Sequence, residues 1–119
     1  MPTREEIRQA LLDKANSLPV LPGVYIMKDA DGKIIYVGKS KAMRNRVSSY
    51  FIDVKNHTIK TATMVSLVYD FDYMLTDSNI EALALENRLI KLHQPKYNVR
   101  LKDAKSYPYI KIIEKNEKI

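Results

Sequence analysis

The chain has 119 residues, enough for one domain with a modest core and no covalent staples. It has no cysteine, which excludes disulfides, thiolate zinc sites and a cysteine nucleophile. Twenty basic against fourteen acidic residues give a net charge of +6, which suits a polyanionic partner.

The start, "MPTREEIRQALLDKANSLP", is charged and has no signal-peptide core, so a cytoplasmic location is expected. Thr3 and Glu6 have the spacing of a capping box, and Ile7, Ala10, Leu11, Ala15 and Leu18 follow as a helical stripe. Pro19 and Pro22 cannot continue that helix. Residues 24–28 and 34–38 are rich in β-branched and aromatic types around "DADG", which predicts a hairpin. Ser40 can cap a helix over about 41–51. "HTIKTATMVSLV" reads as a second short helix, with Thr58 as a possible cap. "YDFDYMLT" alternates as a third strand, about 69–75. Ser78 and Glu81 form a second capping box, opening a helix over 78–93 that Pro95 stops. "YPYIKIIE" reads as a last short strand, at an edge because of Pro108.

The hairpin raises a chemical question, because Tyr25 and Tyr36 stand one in each strand. A four-residue loop sets Tyr25 opposite Tyr36. A two-residue turn at Asp31-Gly32 sets Met27 opposite Tyr36, with Tyr25 two residues away on the same face. Both registers put the phenols together, whereas a three-residue loop separates them. Taken alone, two such tyrosines are better explained as core with hydroxyls reaching the edge than as chemistry. Gly23 and Gly38, at strand ends, point to a close backbone approach or a sharp exit. "GKS" at 38–40 is no P-loop, since Lys33 stands where that motif requires glycine.

On the following helix Arg46 and Tyr50, spaced i, i+4, share a face beside the apolar stripe Met43, Val47 and Phe51. Arg46 is either a snorkelling side chain or a guanidinium able to grip phosphate oxygens. Lys39, Lys41, Arg44 and Arg46 are either a solvated charge cluster or a nucleic-acid contact. Ala82, Leu83, Leu89 and Ile90 surround Glu86 at helical spacing, with Glu81, Arg88 and Lys91 on the opposite face. A carboxylate on an apolar face calls for a basic partner or a hard metal such as Mg²⁺, and spacing leaves both open. Asn98 follows Pro95 in "PKYN", where turn chemistry and the orientation of a water or phosphate both fit. Neither His57, in a polar loop, nor His93, in a last helical turn, has the pattern of a site.

The series "GVY", "YVGK", "RNRVSSYF", "EALALE" and "PKYN" resembles the GIY-YIG nuclease family, in the form of the UvrC-like N-terminal endonuclease domains. The likeness runs over about residues 15–113, in family order. It implies the GIY-YIG fold, an α/β (α+β) domain with a small antiparallel sheet of about three strands flanked by helices. It makes residues 1–119 one endonuclease domain, with a core of about 15–100, of the kind found at the N-terminus of a longer protein.

Family roles then fall on Tyr25 and Tyr36, the tyrosines of the two half-motifs, on Lys39 after the second, and on Arg46 and Tyr50 of the helix. Glu86 matches the metal-binding glutamate and Asn98 the asparagine beyond its helix. The resemblance implies hydrolysis of a DNA phosphodiester with one Mg²⁺ or Mn²⁺ on Glu86. Tyr36 is then the general base, with Lys39 or Arg46 favouring its phenolate, and Tyr25, Tyr50 and Asn98 position the reactants. Lys39, Lys41, Arg44 and Arg46 contact DNA. It further implies damaged double-stranded DNA as substrate, the 3′ incision of excision repair, and UvrB and UvrA as partners. A DNA-binding module without catalysis, or a GIY-YIG nuclease of another pathway, are the alternatives.

Overall fold

A computed structural model of the chain describes residues 2–52 and 57–98. The first helix, α1 (Arg4–Asn16), starts as its sequence dictates. The Thr3 hydroxyl accepts from the Glu6 amide, and the Glu6 carboxylate accepts from the Thr3 amide. Ile7, Leu11 and Ala15 are buried, but Ala10, on the predicted stripe, is exposed. The helix ends three residues ahead of Pro19.

The hairpin of β1 (Gly23–Lys28) and β2 (Ile34–Ser40) uses neither of the two expected connections. The Asp29 amide donates to the Lys33 carbonyl and the Gly32 amide to the Asp29 carbonyl, each at 2.9 Å. The loop is therefore residues 30–32, with Gly32 at φ 81° taking the left-handed conformation that closes it. Such a loop alone would put Tyr25 and Tyr36 on opposite faces. A bulge reverses that outcome. Lys28 pairs with Ile34 but Met27 pairs with Tyr36, so Ile35 is an extra residue in β2. Beyond the bulge Tyr25 pairs with Gly38, and the two phenols share a face after all.

The third strand, β3 (Asp70–Leu75), pairs antiparallel with the other side of β1, giving the order β2-β1-β3. Three helices complete the described fold: α2 (Met43–Ile52), α3 (Ile59–Leu67) and α4 (Asn79–His93). Ser40 acts before α2, its hydroxyl accepting from the Ala42 amide at 3.0 Å, and the helix itself begins at Met43. Thr58 caps α3 as expected. At α4, Ser78 accepts from the Glu81 amide, but Glu81 reaches the Asp77 amide rather than that of Ser78, so the box is displaced by one residue. Gln94, left-handed at φ 46°, ends α4 just ahead of Pro95.

The sheet has a core on each face. Tyr25, Met27, Ile35 and Phe71 meet α1, α2 and α3 through Leu11, Val47, Phe51 and Met64. Val24, Ile26 and Val37 meet Ala82 and Leu89 of α4 on the other face. Phe51 stacks on Phe71 with centroids 6.3 Å apart. Each such side chain contributes roughly 1.5–3 kcal/mol by leaving water, which fixes α2 and α4 on opposite sides of β2. The expected strand "YPYIKIIE" lies outside the described residues. Among the described residues, no helix is long and apolar enough to cross a membrane.

Candidate active site

Three phenols converge where α2 crosses β2. Tyr25 points from β1 across β2 and is 1% exposed. It can do so because its strand partner is Gly38: a Cβ there would fall inside contact distance of the Tyr25 Cζ and Oη. The Tyr25 hydroxyl then lies 2.7 Å from that of Tyr50, which is 4% exposed on α2. Ring centroids are 5.7 Å apart for Tyr25 and Tyr50, and 6.2 Å for Tyr25 and Tyr36. One turn before Tyr50, the Arg46 guanidinium sits 5.0 Å over its ring. The helical spacing of Arg46 and Tyr50 thus becomes a cation over a phenol, turned toward the hairpin.

Electrostatics single out Tyr36, which is half-buried. Burial raises its phenol pKa first, and Tyr50 raises it further; the Arg46 charge opposes them, and Glu86 adds to the rise. Tyr25 is raised well above a free phenol, again by burial first and then by Tyr50 and Tyr36. Burial works against the Arg46 cation, yet Tyr25 and Tyr50 more than compensate and its pKa is raised overall. Arg46 is therefore a permanent positive charge, and it is the positive group that acts on Tyr36.

Lys39 is placed differently from the sequence expectation that it serves the Tyr36 phenol. Strand alternation pairs it with Val24, on the α4 face, while Tyr36 faces α2. Glu86 is half-buried on α4. Of the residues at helical spacing around it, Ala82 and Leu89 are buried and Ile90 packs against their cluster, but Leu83 is 44% exposed, so Glu86 borders the apolar stripe instead of sitting at its centre. Its charge acts on Tyr36 and adds to the rise of that phenol's pKa. Asn98 closes the edge of β2. Its Oδ1 accepts from the Val37 amide at 2.7 Å and its Nδ2 donates to the Val37 carbonyl at 2.8 Å. Both ends of the amide hold the backbone beside Tyr36.

Of the remaining basic residues, Lys41 is exposed in the turn before α2. Arg44 is also exposed, but its Nε donates to the Leu18 carbonyl at 2.7 Å, tying α2 to the segment after α1. The structure adds a residue that sequence reasoning set aside. His57 lies with Nε2 3.1 Å from the Tyr50 carbonyl oxygen and its ring 6.0 Å from that of Tyr50. No local pattern announces it, because the pairing joins the end of one helix to the approach of the next.

Among the described residues, no three acidic or histidine side chains cluster as a metal cage. A single half-buried carboxylate still suits a hard divalent ion that keeps most of its waters. Glu86 is such a carboxylate, and its charge acts on Tyr36 of the phenol cluster.

Residues 21–99 match the family described as the UvrC-like GIY-YIG domain. A UvrABC system protein C from Moorella thermoacetica is 61% identical over 102 residues, covering 86% of this chain and 16% of that protein. One from Solibacter usitatus is 54% identical over 108 residues, covering 91% of this chain and 17% of that protein. The chain therefore spans less than a fifth of the length of these relatives. Among solved structures, the GIY-YIG N-terminal endonuclease domain of UvrC from Thermotoga maritima, bound to magnesium as its catalytic divalent cation, is 34% identical. It has a TM-score of 0.67 and covers 76% of this chain and 97% of its own.

Proposed function

Because the chain belongs to the UvrC-like GIY-YIG family, we propose that it is a metal-dependent DNA endonuclease domain whose reaction centre is the β2 edge. The observation that carries the reading is the cluster at β2: the Tyr25 and Tyr50 hydroxyls 2.7 Å apart, Arg46 5.0 Å over the Tyr50 ring, and Tyr36 beside them under the opposed effects of Arg46 and Glu86. A DNA-binding surface without catalysis has no use for a half-buried carboxylate whose charge acts on a phenol of this cluster.

In this reading Glu86 holds one Mg²⁺ or Mn²⁺. A bound ion supplies Lewis-acid polarisation of the scissile phosphate and replaces the negative field of Glu86 at Tyr36 by a positive one. Tyr36 is the general base. Its phenolate oxygen takes a proton from the attacking water as the new P–O bond forms and the bond to the 3′ oxygen breaks. The raised pKa of Tyr36 in the protein alone keeps that base protonated until positive charge joins it. Arg46 neutralises charge on the phosphate oxygens. Tyr50 and Tyr25 hold the hydroxyl array, and Asn98 holds the strand that carries Tyr36. Lys39, Lys41, Arg44 and Arg46 supply phosphate contacts along the DNA.

The same reading extends to the 3′ incision of damaged double-stranded DNA in excision repair, with UvrB and UvrA as partners and the cytoplasm as the place of action. Its support is the name UvrABC system protein C carried by relatives more than half identical over most of this chain. Residues 1–119 are read as one endonuclease domain.

The test is nicking of supercoiled plasmid with and without Mg²⁺. Glu86→Gln should abolish both nicking and calorimetric Mg²⁺ binding while leaving the circular dichroism spectrum unchanged. Tyr36→Phe should lose nicking and keep Mg²⁺ binding. Full activity in Tyr36→Phe removes the base assignment, and unaltered nicking in Glu86→Gln removes the metal site. DNA binding without Mg²⁺-dependent nicking favours the binding module.

A further inference from the structure

Among the described residues, Tyr25, Arg46 and His57 make ring contacts with Tyr50. Tyr25 lies 5.7 Å away edge-on, Arg46 lies 5.0 Å over the face, and His57 lies 6.0 Å away at 39°. The first two belong to the phenol cluster. His57 comes from outside it, in the turn whose next residue, Thr58, caps α3. That helix is anchored in the core by Met64 and Val65.

The contact is polar as well as steric. Tyr50 is in the last described turn of α2, near the helix end where carbonyls take partners from outside. The Nε2 of His57 is 3.1 Å from the Tyr50 carbonyl oxygen, so an Nε2–H tautomer donates to it. One imidazole thus holds the backbone of Tyr50 and leans on its ring.

We propose that His57 is a positioning residue for the reaction centre: it fixes the end of α2 and the rotation of Tyr50, keeping the Tyr50 hydroxyl on that of Tyr25. The consequence for rate rests on the endonuclease reading above, while the geometric claim does not. His57 touches none of the reacting atoms and acts through Tyr50 alone.

The test labels tyrosine Cζ with ¹³C and compares the folded chain with His57→Ala and His57→Gln by NMR. In His57→Ala the Tyr50 and Tyr25 resonances should both move. In His57→Gln, whose amide can still donate to the carbonyl, they should return toward their original positions. Should His57→Ala fail to fold, His57→Asn, whose shorter amide stops short of the carbonyl, decides the same question. In plasmid nicking, His57→Ala should lower kcat by about ten- to a hundredfold with KM for DNA unchanged. Added to Tyr50→Phe, it should cost little more than Tyr50→Phe alone. Unmoved Tyr50 and Tyr25 resonances in the folded variant, or losses that multiply in the double variant, overturn the proposal. Absence of nicking in the unaltered chain counts against the endonuclease reading, and the resonances still decide the role of His57.

Discussion

The phenol of Tyr25 occupies the space that a side chain on Gly38 would need. The two residues are strand partners, and the missing Cβ lets the ring lie across β2 and reach the Tyr50 hydroxyl at 2.7 Å. The glycine of one half of the hairpin is thus explained by the tyrosine of the other. Gly38→Ala should therefore cost about 1–3 kcal/mol, the usual penalty of overpacking a filled core. Urea melting checks this, and a midpoint equal to that of the unaltered chain would show that the ring moves aside freely.

Alkaline pH should loosen the same cluster. Burial, then neighbouring phenols, raise Tyr25 and Tyr36 above a free phenol. Their folded pKa values exceed the unfolded value of about 10, so the unfolded state releases protons first. The stability they confer is complete below that value and is lost as pH rises through the folded pKa. Urea midpoints should stay level to about pH 9 and then fall. Tyr25→Phe should fall less steeply; parallel curves would mean that Tyr25 is not held protonated by the fold.

The path from sequence to site was legible where a rule is local and opaque where it is not. Thr3 and Thr58 cap their helices because a hydroxyl beside a helix start has an amide within reach. The shared face of Tyr25 and Tyr36 was foreseen, but by a route the chain does not take. The three-residue loop closed by Gly32 separates the phenols, and the extra Ile35 brings them back. Turn residues signal a loop, whereas a bulge depends on packing of both strands. The family likeness set Lys39 or Arg46 beside the Tyr36 phenol, and three steps along a strand leave Lys39 on the alternate face. His57 was passed over because its partner is seven residues away across a helix end.

Arg46 should set the pH range of the reaction. It opposes the rise in the phenol pKa of both Tyr36 and Tyr25. Arg46→Ala removes that opposition, so the pH at which rate climbs should move upward. The rate at neutral pH should fall by about 10²–10³ through lost phosphate stabilisation. Arg46→Lys should restore the pH position better than the rate, because a lysine keeps charge without the planar fork. Nicking rates across pH 6–10 check this. An unchanged pH profile in Arg46→Ala would separate the guanidinium from the phenols.

Asn98 should prove to be a substitute strand. Among the described residues the outer edge of β2 has no neighbouring strand, and the Asn98 amide bonds to both the amide and the carbonyl of Val37. Because the Val37 amide and carbonyl both turn outward to Asn98, its pairing with Ile26 is the non-hydrogen-bonded kind. Asn98→Ala leaves both groups unsatisfied in a half-buried position and should cost about 1–3 kcal/mol. Asn98→Asp should lose the donor, set a carboxylate against the Val37 carbonyl, and cost at least as much. The specific signature is hydrogen exchange. The Val37 amide should lose protection in both variants, while those of Ile26 and Met27, inside the sheet, keep theirs. If Val37 stays protected in Asn98→Ala, something other than the asparagine closes the edge, and its effect on the adjacent Tyr36 must be sought elsewhere.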